Sequence, residues 1–393
     1  MENTNIKEKI LDYLFDNLDI FTSRENVEIN EVGDGNVNYI FRVNDDKNSV
    51  IVKFSDDYIR GSSTRKLSSV RSRIETEILN YQFKLSDGLA PEIYSYSEKE
   101  NFIVMEDLSD HKVLREAVKL KEIYPGFGKE VAKFLYNTLF KTTDLVMDIK
   151  EKKETVARFV NYDMCEISER LVFTEPYMNN QGLNSFTEEN KNFIEKNITN
   201  NKELLLEVAK LKQKFMTKSE SMIHGDLHSG SIFINERGIK VFDPEFAFYG
   251  PMGYDIGNIL ASLIISYNVA LFENGYNGND FTDWLKESIL EIVDEFKSIY
   301  MKNALGDVNT YMFKNEEFLD YYLNEILKET AGYAGAEIIR RTVGVAKVLD
   351  IDRVKNQEGY SEVEKKLLDT GIDLIINSED YTCSKGYKKQ LEN

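Results

Sequence analysis

With 393 residues, 42% hydrophobic and 30% charged, the chain can build about two or three core-forming units and is too apolar to be disordered. Its 68 acidic residues outnumber 49 basic ones, and the net charge of −19 repels phosphate backbones and anionic lipid, so neither nucleic acid nor membrane is an expected partner. Two cysteines, Cys165 and Cys383, and three histidines provide neither a disulfide framework nor zinc-ligand spacing, and the N-terminus shows no charged-then-apolar signal pattern; the expected setting is the reducing cytoplasm.

Ile6, Ile10, Leu14 and Leu18, with Leu11 and Phe15 beside them, predict an amphipathic helix. The period then shortens to two. Val27 and Ile29, then Val37 to Val43, then Val50 to Phe54 predict three short antiparallel strands, the last two joined by the turn Asp45-Asp46-Lys47-Asn48. A helix from about Leu67 to Leu85 and a strand from Asn101 to Glu106 follow. Beyond Leu108 the pattern is mostly helical, with Phe127 to Met147 and Lys191 to Phe215 the clearest stretches and Thr155 to Tyr177 mixed. One β island interrupts it, made of Ser221 to Ile223, Ser231 to Asn235 and Ile239 to Phe242. Helices resume at Tyr254. The most apolar run, Ile256 to Tyr267, contains Asn258 and two serines and stops short of the ~18 residues a bilayer requires. The expected fold is therefore α+β and bilobal: a small antiparallel-sheet lobe, 1–108, and a large, mostly helical lobe, 109–393.

Three features carry chemistry. Gly33-Asp34-Gly35-Asn36-Val37-Asn38 lies between two predicted strands, where glycines let backbone N–H groups approach a phosphate; taken alone it reads more readily as a ligand-free hairpin, because glycine–asparagine turns are common. It leads into a strand, unlike a Rossmann turn, and lacks the Gly-Lys-Ser/Thr of a Walker A loop. Lys53 sits among apolar residues of Val50-Ile51-Val52-Lys53-Phe54. There it needs an anion nearby, with Glu75 or Glu77 able to orient it, unless it points to water from an edge strand. Third, Ile223-His224-Gly225-Asp226-Leu227-His228-Ser229-Gly230-Ser231 is followed by Val241-Phe242-Asp243-Pro244-Glu245-Phe246. Asp226 can accept or orient a hydroxyl proton, and Asp243 with Glu245 offers hard oxygen ligands for Mg²⁺ on phosphate oxygens. His228 reads as a loop-shaping hydrogen-bonder. Glycine loop, strand lysine, loop aspartate and paired carboxylates, in this order, make up a phosphoryl-transfer set.

That order resembles the small-molecule branch of the protein-kinase-like fold, with a His-Gly-Asp motif in place of His-Arg-Asp and neither Asp-Phe-Gly nor Ala-Pro-Glu. Together with Asp243-Pro244-Glu245-Phe246-Ala247-Phe248-Tyr249-Gly250-Pro251-Met252-Gly253-Tyr254-Asp255, Val104-Met105-Glu106-Asp107-Leu108 and Glu337-Ile338-Ile339-Arg340-Arg341-Thr342, it resembles the 5-methylthioribose kinase family of methionine salvage over nearly the whole chain. The resemblance implies that ATP is held by the glycine loop (Gly33, Gly35), Asn38, Lys53 and Glu75, with Glu106, Asp107 and Leu108 at the adenine edge. It implies Asp243, Pro244 and Glu245 at the Mg²⁺–ATP site, the carboxylates being the metal ligands, and Asp226 as the catalytic residue. Arg340 and Arg341 come beside the sugar with Asp226; without the family, the same arginines read as structural ion pairs. A homodimer acting on a small sugar is expected. Two departures stand out: Ser231 replaces an asparagine metal ligand of the wider branch, and Asp56 to Arg73 lacks the tryptophan that family members carry there. A related kinase for an aminoglycoside, choline or homoserine, and a nucleotide-binding scaffold without catalysis, are the competing readings.

Overall fold

The computed structural model describes residues 2–32, 38–54, 70–345 and 347–392, with side chains from residue 6 onward. Gly33 and Gly35, and most of the stretch expected to carry a tryptophan, lie outside the described residues. The chain divides into two compact units, Met1–Asp110 and His111–Asn393.

In the first unit, α1 (Glu2–Asn17) is followed by β1 (Glu28–Glu31), β2 (Tyr39–Asn44), β3 (Ser49–Phe54), α2 (Val70–Leu85), β4 (Ile93–Ser97) and β5 (Phe102–Glu106). The strands form one antiparallel sheet in the order β1-β2-β3-β5-β4. Alternation sorts its side chains. Phe41, Val43, Val50, Val52, Phe102 and Val104 share a face and pack with Ile10 and Leu14 of α1. Lys53, next to Val52 on the central strand, points to the opposite face, the one that meets α2. β4 carried little sequence signal, since Ile-Tyr-Ser-Tyr-Ser is a half-buried edge strand recruited by pairing with β5.

The second unit is helical around two small sheets, where the sequence suggested one β island. β6 (Lys112–Val113), β8 (Ile232–Asn235) and β9 (Gly238–Val241) form one, and β7 (Ser221–Ile223) pairs with β10 (Phe248–Gly250) in the other. The predicted helix over 191–215 is broken: a π-helical turn, Glu195–Thr199, ends it, and Asn201 caps a new helix, Lys202–Thr217, by accepting from the Glu203 and Leu204 N–H groups. The core is the Met252–Glu273 helix, buried at every residue from Met252 to Ala270, packed on Glu316–Val343. Gly257 permits the close crossing, because a Cβ there would come 2.7 Å from both Thr330 O and Ala334 N.

That central helix is also longer than its sequence suggested. At 22 residues it is apolar and long enough to cross a membrane, but 89% of its most apolar window is buried inside the protein. Its hydrophobicity is accounted for by neighbouring helices on all sides.

Candidate active site

In the first unit, the central strand and the helix behind it bring the predicted phosphate-binding residues together. Lys53 Nζ donates to Glu75 Oε1 at 2.6 Å, with only 8% and 3% of the two side chains exposed. Glu77, the alternative partner, pairs instead with Arg73 on its own helix. One turn before Glu75, buried Arg71 donates to Asn38 Oδ1 at 3.2 Å, so α2 supports both Asn38 and Lys53. At the end of β5, the Asp107 carboxylate accepts from Arg42, Ser49 and the Ser109 N–H. Glu106 Oε2 accepts from the Glu92 N–H, and Leu108 is buried. The side chains of Glu106 and Asp107 are thus both engaged within the unit.

In the second unit, the loop after β7 is shaped by a residue to which the sequence reading gave no role. Asp255, in the first turn of the Met252–Glu273 helix, accepts from the His224 N–H at 2.6 Å and the Gly225 N–H at 2.9 Å. Gly225 has φ +82°, and a Cβ there would lie 2.3 Å from Phe246 O, so both backbone and space require glycine. His224 Nε2 bonds Phe242 O and the Phe242 N–H donates to Ser231 O, stitching this loop to the segment carrying Asp243. Asp243 itself adopts φ +65°, a left-handed conformation rare outside glycine, asparagine and aspartate and found where structure over-determines it. Pro244 is buried and its carbonyl accepts from the Ala247 N–H, which makes it part of the turn that leaves Asp243 and Glu245 half-buried. Asn161 Nδ2 holds that turn through Glu245 O and Ala247 O. The Ser231 hydroxyl lies within the loop, 2.9 Å from the His228 N–H nitrogen and 3.0 Å from Asp226 O.

Asp226 is held at both carboxylate oxygens. Arg341 Nη2 lies 3.0 Å from Oδ1 and His228 Nε2 3.3 Å from Oδ2. Burial raises its pKa, but the hydrogen bond from His228 and the guanidinium charges of Arg341 and Arg340 outweigh burial and hold it well below the usual carboxylate range. The arginines are organised by Glu337, a second residue missing from the sequence-derived set. Glu337 Oε1 accepts from Arg341 Nε at 2.5 Å and from Arg340 Nη1 at 2.7 Å. Adjacent helical residues diverge by about 100°, yet one carboxylate three and four residues earlier reaches both. Arg341 touches Asp226, whereas the buried Arg340 Nε has no partner among the described residues. Burial raises the Glu337 pKa, but the two arginines overcome it and keep the group ionised.

Asp255 behaves differently. Burial pushes it up to about 7, with the His224 and Gly225 N–H groups opposing and the Asp226 charge adding to the rise. A carboxyl with a folded value near 7 and an ordinary value of 3.8 binds more protons folded than unfolded between them. Its stabilising contribution is therefore complete below the lower value and lost as pH rises through the upper one. Urea unfolding at pH 5 and 8 should show the wild type losing stability relative to Asp255→Asn; parallel changes would refute the assignment.

Among the described residues, no group of three or more histidine, cysteine, aspartate or glutamate side chains forms a ready metal site. The Asp243–Glu245 pair has the donor chemistry to take Mg²⁺ when phosphate oxygens complete the shell.

The model of the phosphotransferase enzyme family matches residues 28–287. A methylthioribose kinase of Bacillus cereus (strain 03BB102) is 37% identical over 357 residues, covering 90% of this chain and 88% of that protein. One of Bacillus anthracis is 36% identical over the same length. Among solved structures, a choline kinase of Cryptosporidium parvum Iowa II covers 94% of this chain and 99% of its own, with a TM-score of 0.54 at 16% identity, a likeness of fold. With the sheet-and-helix unit, the His-Gly-Asp loop and the Asp243-Pro244-Glu245 turn described, these matches establish that the chain belongs to the phosphotransferase enzyme family and, within it, to the methylthioribose kinases.

Proposed function

We propose that this chain transfers a phosphoryl group from ATP to the 1-hydroxyl of S-methyl-5-thio-D-ribose, giving S-methyl-5-thioribose 1-phosphate and ADP in methionine salvage, as a cytoplasmic homodimer. The observation that carries the reading is Asp226, an ionised carboxylate fixed by Arg341 beside Arg340, whose buried Nε has no partner among the described residues.

In this reading the first unit holds the nucleotide. Asn38 and Lys53, with the glycine loop of Gly33 and Gly35, take the phosphates; the backbone from Glu106 to Leu108 takes the adenine edge. Glu75 keeps the Lys53 ammonium aimed. Asp243 and Glu245 would hold Mg²⁺, whose charge would offset that of the phosphates. Asp226 accepts a hydrogen bond from the sugar 1-hydroxyl. The hydroxyl oxygen bonds to the γ-phosphorus as the bond to ADP breaks, and the proton passes to Asp226 late. A carboxylate this acidic orients the hydroxyl more than it deprotonates it in advance, as a loose phosphoryl-transfer transition state allows. Arg340 and Arg341 offset charge on the moving group, and the free Arg340 Nε is a buried donor that a sugar oxygen would satisfy.

A coupled ADP-release assay with ATP, Mg²⁺ and methylthioribose tests the reading. The arginine pair disfavours cationic alcohols, so preferred turnover of choline, an aminoglycoside or homoserine would overturn it; ATP binding with no transfer to any of these alcohols would leave a non-catalytic scaffold. Glu75→Gln should raise the KM for ATP about tenfold, equivalent to losing roughly 1.4 kcal/mol of lysine preorganisation, while the KM for methylthioribose changes little.

A further inference from the structure

The catalytic loop contains two histidines wired in the same way. In each, Nδ1 accepts the backbone N–H two residues ahead: His224 from Asp226 at 3.3 Å, and His228 from Gly230 at 2.8 Å. A ring nitrogen that accepts an N–H carries no proton, so the proton of each neutral ring is on Nε2. For His224 that Nε2–H faces Phe242 O; for His228 it faces Asp226 Oδ2 at 3.3 Å. The His228 ring is fixed in place. A Cβ on Gly230 would lie 2.5 Å from its Cε1, and the Ser231 hydroxyl takes the His228 backbone N–H.

We propose that His228 is a positioning residue for Asp226: a ring locked as the Nε2–H donor that, opposite Arg341, sets the plane of the catalytic carboxylate and cannot relay its proton. Arg341 holds Oδ1 from a helix 115 residues away and His228 holds Oδ2 from within the loop, so rotation about the Cβ–Cγ bond is blocked from two sides. The only acceptor on the ring, Nδ1, is turned to Gly230. The proton released by the sugar hydroxyl therefore remains on Asp226 until product leaves and does not pass to the imidazole.

The role assigned to Asp226 rests on the phosphoryl-transfer reading; the state of the ring does not. Long-range ¹H–¹⁵N spectra of histidine-labelled protein at pH 7.5 should show His228, assigned by its loss in His228→Gln, as the neutral Nε2–H tautomer. An Nδ1–H tautomer or an imidazolium overturns the proposal. In turnover of methylthioribose, His228→Ala and His228→Asn should lose about 100-fold in kcat, the scale of a misplaced reacting group, with both KM values little changed. His228→Gln, whose amide Nε2 can occupy the place of the ring Nε2, should recover most of that loss. A role in loop shape alone predicts no advantage of Gln over Asn, and equal activities of these two overturn the inference. Wild-type enzyme inactive on methylthioribose would defeat the proposed function instead, and the tautomer spectrum would still decide the donor.

Discussion

Replacing Asp226 by Ala is expected to lower kcat by about 10²–10⁴-fold while nucleotide binding survives. Asp226 is the carboxylate on which Arg341 and His228 converge, and the nucleotide ligands proposed in Met1–Asp110 make no use of it. Asp226→Asn should fare little better. Asn presents one acceptor and one donor to two donors, so either Arg341 or His228 must face an N–H. The check is steady-state turnover of methylthioribose with ATP and Mg²⁺, alongside calorimetric titration of ATP. Near-normal turnover in Asp226→Ala would remove this residue from the chemistry, and loss of ATP binding would show that the unit itself had been disturbed.

Glu337→Ala should be the most destabilising single change near the site. Its carboxylate is 4% exposed and is shared by Arg340 and Arg341, themselves 12% and 10% exposed. Removing it takes the shared carboxylate from two largely buried guanidinium groups, of which Arg341 also contacts Asp226. Breaking a buried pair in this way costs about 3–5 kcal/mol, because the surviving charge stays desolvated. Urea unfolding measures it, and a cost below about 1 kcal/mol would mean that solvent reaches the arginines after substitution. Because burial raises the Glu337 pKa but the arginines more than compensate, folding favours its ionised form. The stability it supplies is present above the ordinary glutamate value and falls as pH drops through its lowered folded value, and Glu337→Ala should lack this acid-side loss.

The two substitutions differ in how far their partners could be read from the sequence. The pairing of Glu337 with the arginines is local: positions three and four residues apart lie on one helical face. Its spacing was visible in Glu337-Ile338-Ile339-Arg340-Arg341 before any fold was known. The contact between Arg341 and Asp226 was not, since it spans 115 residues and depends on how the Glu316–Val343 helix packs on Met252–Glu273. The choice between Glu75 and Glu77 was of the same kind. Two helix positions about 200° apart cannot both face Lys53, and only the phase of α2 against the sheet selects Glu75. Asp255 was legible only as an acid out of place in an apolar helix, and its partners are backbone groups that no side-chain pattern announces.

The linear order of residues by itself determined which groups the proposed chemistry draws on. The Gly33-to-Asn38 loop, Lys53, the His224-Gly225-Asp226 run and the Asp243-Pro244-Glu245 turn are each contiguous or single-strand features, and their reactive groups are written in one short stretch. The tertiary structure alone decided which donor meets which acceptor: Lys53 with Glu75, Arg341 and His228 on Asp226, Asp255 under the loop. The physical reason is that buried charges and N–H groups must find partners wherever packing brings them, and packing is set by the sum of many apolar contacts that no single motif contains.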